Sequence, residues 1–327
     1  MKLYAEPAGD EVYLLGEGPI WDDARARLLW VDIEAGDVLS GELCGTQVTV
    51  TRRTHVDRTV GAVLPAAHGS LLVPGRTVVH LVDDAGSSRE VCRILPADGG
   101  SRLNDAACDP AGRLVVGTLH LGPAASNGPG HAQALRRLED DGSLTTLDDD
   151  LTLSNGIAWS PDGRVMYSVD TLAGWVRSRP YDPTTGATGP RHDLLHVEPG
   201  WPDGLRVDAD GNLWIAIWGA GEVRCYRPDG TLLHVVEVPA PHTSAVAFAG
   251  PALGTLVITT ATAELTTDQA AAHPASGLLH AVDVGDLLGV HGLHTRPWNG
   301  APLRDARCAQ HERPGPPADV TSTSMEI

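Results

Sequence analysis

Lysine is almost absent from this chain: Lys2 is the only one, and arginine supplies the rest of the positive charge. With 24 basic against 42 acidic residues the formal charge is −18. Such a surface repels phosphate backbones, so no nucleic-acid partner is expected, and a small anionic substrate would need local positive charge or a metal. No apolar run approaches the ~18 residues of a membrane-spanning helix. The opening MKLYAEPAGDEVY has no apolar signal core. A soluble, cytoplasmic protein with no membrane partner is the expectation. The five cysteines, at 44, 92, 108, 225 and 308, never form a C-x-x-C pair, which argues against a zinc knuckle, an iron–sulfur site or a dense disulfide scaffold. Neither a G-x-S-x-G elbow nor a G-x-G-x-x-G following a strand occurs, so serine–histidine–acid catalysis and dinucleotide binding lack their motifs. Regular amphipathic helices are missing as well, and with them the basis for a βαβ fold.

What remains is a turn-rich chain of 327 residues with 37 glycines, 24 prolines and 42% hydrophobic residues, long enough to bury a large core. Its apolar residues come in short runs of strand formers, each entered through a turn. RLLWVD begins at Arg27, SLLVPG at Ser70, RLVVGT at Arg113, RVMYSV at Arg164, NLWIAI at Asn212 and TLVITT at Thr255, at intervals of 43, 43, 51, 48 and 43 residues. Six units at this period predict an all-β, six-bladed β-propeller, each unit a blade of about four strands. A β-sandwich fits six evenly spaced units less well. The propeller is expected to occupy residues 1–302. Residues 120–134 read as a long loop interrupting the third unit, and 303–327 as a polar C-terminal segment whose last part is mobile.

The same period selects candidate site residues. Nine positions before Arg113, Arg164 and Asn212 lie Asn104, Asn155 and Asp203, and ten before Arg27 lies Glu17. Equivalent positions of successive blades share one level around the axis, so these four should meet at one mouth of the central channel. That separates Asp203 from its acidic neighbours in WPDGLRVDADGNLWIAIWG at 201–219. Asp208, Asp210 and Gly211 read as turn residues, because an EF-hand loop needs a different alternation and a closing glutamate. Glu17, Asn155 and Asp203 offer carboxylate and amide oxygens without sulfur, which suits calcium, magnesium or manganese, with zinc also able to accept carboxylates. Hydration of the channel or bonding to strand ends is the alternative role for such residues.

GEGPIWD at 16–22, SRLNDAACDPAGRLVVGT at 101–118, SNGIAWSPDG at 154–163, YSVD at 167–170 and PDGLRVDADGNLWIAIWG at 202–219 resemble the gluconolactonase family, which includes senescence marker protein, regucalcin and luciferin-regenerating enzyme. HTSAVAFAGPALGTLVITTA at 242–261 is similar to its last blade, and the resemblance spans roughly residues 10–300. It implies a six-bladed propeller with one divalent metal at the channel mouth, held by Glu17, Asn155 and Asp203. It also implies substrate contacts from Arg102 and Asn104, with Asp105 in the same motif and Asp170 near a strand end. Calcium is the first metal to consider, then zinc, manganese or magnesium. Two departures stand out: Ala106 replaces a common glycine, and GTLHLG puts His120 and Leu121 where the animal branch has an acid that holds sugar hydroxyls.

The expected activity is hydrolysis of a small sugar or aldonic acid lactone. The metal would polarise the carbonyl and acidify a water, Asp203 would act as base, and Arg102 would make charge-assisted bonds to oxygens. His120 and Trp201 are further candidates for substrate contact, with Trp201 offering a face for a ring. His242 is a candidate for the mouth, whereas Trp175 and Trp218 read as packing residues. A calcium-binding regulatory propeller with little catalysis is the competing reading. A third is a propeller recruited to biosynthetic isomerisation or cyclisation.

Overall fold

Each of the six recurring apolar runs is the second strand of an antiparallel sheet. The computed structural model describes residues 1–122 and 132–300, and the chain winds through six such sheets. Blade 1 is built from Gly16–Asp22, Arg27–Asp32, Asp37–Cys44 and Gln47–His55. Blade 2 comprises Leu64–Pro65, Leu71–Pro74, Val78–Val82 and Ser88–Arg93. Blade 3 runs Ser101–Cys108, Leu114–His120, Gln133–Leu138 and Leu144–Leu151. Blade 4 runs Ser154–Trp159, Val165–Asp170, Trp175–Pro180 and His192–His196. Blade 5 has Trp201–Val207, Leu213–Trp218, Glu222–Tyr226 and Leu232–Glu237, and blade 6 has Thr243–Ala249, Thr255–Thr260 and His280–Asp283. The interruption foreseen at 120–134 is described only at its two ends, and the segment 303–327 lies outside the described residues.

The ring closes with the N-terminus. Glu6–Pro7 pairs antiparallel with His280–Asp283 as the outer strand of blade 6, and Lys2–Tyr4 adds a parallel fifth strand to blade 5. Nothing in the periodicity pointed to these two short strands. Apolar clusters lie between neighbouring sheets: Val31, Val38, Val60 and Val73 join blades 1 and 2, and Val169, Leu205 and Ile215 join blades 4 and 5. A sheet covered by another on each face needs apolar residues on both. The second strand Leu213–Trp218 is accordingly buried along its length, with only Trp218 half-buried.

The hairpins between first and second strands share one device. Asp208 accepts from the backbone N–H of Asp210 and Asn212 and from Trp214 Nε1. Asp109 accepts from the N–H of Ala111 and Arg113, and Asp162 from that of Arg164. These side chains satisfy donors that the turn leaves open. No helix among the described residues is long and apolar enough to cross a membrane.

Candidate active site

The innermost strand of five blades carries a register shift at one level. The irregularities fall between Glu17 and Ile20, Leu103 and Ala106, Asn155 and Ile157, Pro202 and Leu205, and Thr243 and Ala245. A bulge inserts an extra residue and re-aims its neighbours. Here it falls at the positions the spacing selected. Glu17, Asn104, Asn155 and Asp203 all line one cavity of about 590 Å³. In blade 2, Gly61 stands nine positions before Ser70; a Cβ there would overlap the backbone of Asn104, so that blade contributes space instead of a side chain. In blade 6, Ser244 Oγ donates to the Gly16 carbonyl at 2.6 Å, fastening the backbone beside Glu17. Gly156, directly after Asn155, has φ +27, and a Cβ there would lie 2.6 Å from the Asp203 carbonyl. The strands of blades 4 and 5 approach that closely only with glycine.

Every polar group at this level is buried: Arg102, Asn104, Asp105, Asn155, Asp203 and Glu17 are between 4 and 8% exposed. Asn104 is a bridge. Its Oδ1 accepts from Arg102 at 2.5 Å, and its Nδ2 donates to the Ser154 carbonyl at 2.9 Å and to Asn155 Oδ1 at 2.6 Å. Asn155 Nδ2 in turn donates to Thr171 Oγ1 at 3.0 Å, which fixes its amide oxygen towards Asn104 and the cavity. Glu17 Oε2 accepts from the Gly18 N–H at 2.9 Å. Asp203 Oδ1 is buried and has no hydrogen-bond partner among the described residues.

Burial raises the Glu17 and Asp203 carboxyls above their ordinary range; the charge of Asp105 pushes both the same way, and that of Glu17 adds to the rise of Asp203. Arg102 offsets part of this for both, and Arg206 helps for Glu17. Asp105 is raised by burial and eased by Arg206 and the Ala106 N–H. Burial pushes the Arg102 guanidinium down to about 10 against the opposing pull of Glu34, Glu17 and Asp203. Two buried carboxylates lining one cavity, one with an unpartnered oxygen, and an oriented amide oxygen form a donor set that fits a hard divalent cation.

Around this floor the cavity is lined by His120, Trp201 and Trp218 among others. Trp201 is 47% exposed and faces Gly219, where a Cβ would lie 3.3 Å from its ring. Trp218 was read as a packing residue, yet it lines the cavity and stacks on His242 at 4.2 Å between ring centroids. His242 stands behind that indole and bonds the Ala263 carbonyl at 2.9 Å. Trp175 packs against His196, away from the cavity. Asp170 also lies outside the lining and accepts from the N–H groups of Thr152 and Leu153 and from Arg177. Sequence reasoning missed Asp32, which does the same for Leu14 and Leu15. It also missed Glu34 and Glu264 at the rim. The signal for Asp32 was available: it ends RLLWVD as Asp170 ends VMYSVD.

Comparison with known proteins adds four findings. Residues 15–262 match the family described as "SMP-30/Gluconolactonase/LRE-like region". The chain is 36% identical to "Pentonolactonase XacC" of Haloferax volcanii over 258 residues, covering 76% of this chain and 81% of that protein. It is 31% identical over 283 residues to "Putative sugar lactone lactonase YvrE" of Bacillus subtilis, covering 83% of this chain and 91% of that one. Among solved structures, a calcium-binding protein named regucalcin from Agrobacterium tumefaciens superposes with a TM-score of 0.81 at 28% identity, covering 91% of this chain and 98% of that chain.

Proposed function

The chain belongs to the SMP-30/gluconolactonase/LRE-like family, and from that premise we propose that it is a divalent-metal-dependent lactonase opening a small sugar or aldonic acid lactone. The observation that carries this reading is the buried, unpartnered Asp203 Oδ1 beside Glu17, facing a cavity that also holds Arg102. Relatives named pentonolactonase and sugar lactone lactonase support it. Glu17, Asn155 and Asp203 would hold the cation. Calcium is the first candidate because the Agrobacterium relative is named a calcium-binding protein, with zinc, manganese and magnesium as the alternatives. When bound, the cation supplies Lewis-acid polarisation of the ester carbonyl.

Asp203 is the base. It takes a proton from the attacking water and returns it to the ring oxygen as the acyl–oxygen bond breaks, leaving a hydroxy acid. Free aspartate is a weak base, with a pKa near ~4; burial beside Glu17 and Asp105 raises this carboxyl, and a bound cation would act the other way. Arg102 is the cationic side chain placed for the carboxylate that forms. Asn104, with its amide engaged on both sides, holds Arg102 and Asn155 in register as much as it touches substrate. Trp201 and His120 make up the remaining substrate contacts.

A panel of five- and six-membered aldonolactones, assayed before and after chelation, tests this. Asp203→Ala should lower kcat/KM by at least ~10³, the scale of losing a base together with its positioning. Cation binding without any metal-dependent lactone opening would replace this reading with that of a calcium-binding regulatory propeller.

A further inference from the structure

On the innermost strands, the residue two positions before each floor residue points the same way, one step nearer the mouth. That layer reads Leu15, Arg102, Leu153 and Trp201, ahead of Glu17, Asn104, Asn155 and Asp203, and all four line the cavity. Arg102 is its one polar member. The ends of the second strands and the loops beyond them add Leu119, Leu121, Leu172 and Trp218. Three of the nine large apolar side chains that the described surface exposes, Leu121, Leu172 and Trp201, therefore stand at this one mouth. Exposed apolar groups gathered in one place mark a binding surface. Both indoles are braced from behind, Trp201 against Gly219 and Trp218 against His242.

The exposed charges at the mouth have one sign. Glu34 and Glu264 sit on the rim, and Glu34 is the acid that acts most strongly on Arg102. Glu264 is one of three non-glycine residues among those described with positive φ, at +65, a conformation that costs energy and collects at functional sites. With Glu17 and Asp203 the cavity carries four acids against Arg102.

Resting on the lactonase reading above but departing from its sugar substrate, we infer that the preferred lactone is neutral and bears an apolar alkyl or aryl arm in place of further hydroxyls. The ring carbonyl sits over the polar floor and the arm lies along Leu153, Leu172, Trp201 and Trp218 towards the mouth. A bare polyhydroxylated lactone leaves those walls unfilled, because apart from the two indole N–H groups they offer its hydroxyls no donors or acceptors. An arm ending in a carboxylate meets Glu34 and Glu264. The cavity volume of about 590 Å³ is in the range that encloses a ligand larger than a single ring.

The test measures kcat/KM of the metal-loaded full-length protein on three series: unsubstituted aldonolactones, γ-lactones with 4-alkyl chains from methyl to pentyl, and the same chains ending in a carboxylate. The expected result is a rise of roughly threefold per methylene in the alkyl series, with each carboxylate-ended analogue at least tenfold poorer than its alkyl counterpart. Leu172→Ser should flatten the dependence on chain length, read as a ratio within one protein and so insensitive to any loss of folded material. Glu264→Gln should narrow the alkyl-to-carboxylate ratio. If aldonolactones are opened while activity is flat or falls with chain length, the inference is overturned and the lactonase reading stands. If carboxylate-ended chains are preferred, the neutral-arm part is overturned. If no series is opened, both fail together.

Discussion

The site depends first on where single side chains point, and two acids outside the cavity set two of them. Asp32 accepts from the Leu14 and Leu15 N–H groups at 3.1 Å, just ahead of Glu17. Asp170 accepts from the Thr152 N–H at 3.0 Å and the Leu153 N–H at 3.3 Å, just ahead of Asn155. Each clamps the entry of an inner strand, so the residue two places on arrives in a fixed register. Asp170→Asn should therefore weaken cation binding by about 10-fold, the lower end of what an outer-sphere partner contributes. Titration calorimetry of the variant against the parent checks this, and an unchanged cation affinity would reduce Asp170 to a fold residue. Asp203→Asn separates charge from shape at the floor. It should bind the cation at least tenfold more weakly and leave only residual lactone turnover. Unimpaired turnover with bound cation would mean that another group activates the water.

At the scale of the strand, closure and register matter most. Blade 6 lacks an outer strand until Glu6–Pro7 supplies it, and Leu3 and Ala5 are buried in the same apolar cluster as Ala281 and Val282 of that blade. Removing residues 1–7 should cost at least ~3 kcal/mol from lost apolar burial and strand pairing, read as a lowered midpoint in denaturant. Within the partner strand, His280 is fully buried opposite Pro7, and burial pushes its imidazole down to about 4, only partly offset by the Leu278 carbonyl. An unfolded histidine titrates near ~6.5. The unfolded chain therefore takes up a proton that the fold refuses. Stability is full above pH ~6.5 and is lost as pH falls from there towards 4, by at most about 3 kcal/mol. Thermal midpoints between pH 7 and 4 should fall less steeply in His280→Leu than in the parent; parallel curves would assign the acid sensitivity elsewhere.

The inner-strand register was legible in the sequence because the bulge falls at a nearly constant distance before each second strand, so Glu17, Asn104, Asn155 and Asp203 could be found by counting. Glu6–Pro7 was not legible, since two residues show no alternation and their partner is some 270 residues away. Trp218, Glu34 and Glu264 were missed for a related reason: their place at the mouth is set by how neighbouring blades tilt against each other, which no local pattern records. Asn104 was found by position, but its bridging between blades 3 and 4 depends on side-chain partners that only the folded ring brings together.

For the whole molecule, the ring of sheets brings residues from blades 1, 4 and 5 to one level on the axis, and the acid-rich composition leaves that level short of positive charge. Among the described groups, Arg102 and Arg206 are the guanidiniums that ease the raised carboxyls of Glu17, Asp105 and Asp203. A bound cation should therefore stabilise the entire propeller. At a free concentration of 100 times Kd it contributes about 2.7 kcal/mol, which raises Tm by roughly 4 °C for a chain of this size. The gain should vanish with a chelator and be strongly reduced in Glu17→Gln.

One measurement bears on the central claim most directly: anomalous diffraction from crystals of the full chain soaked in manganese. A single strong peak on the channel axis, within bonding distance of Glu17, Asn155 and Asp203, is the predicted result. An axis without a peak, or a cation bound by residues other than these three, would contradict it.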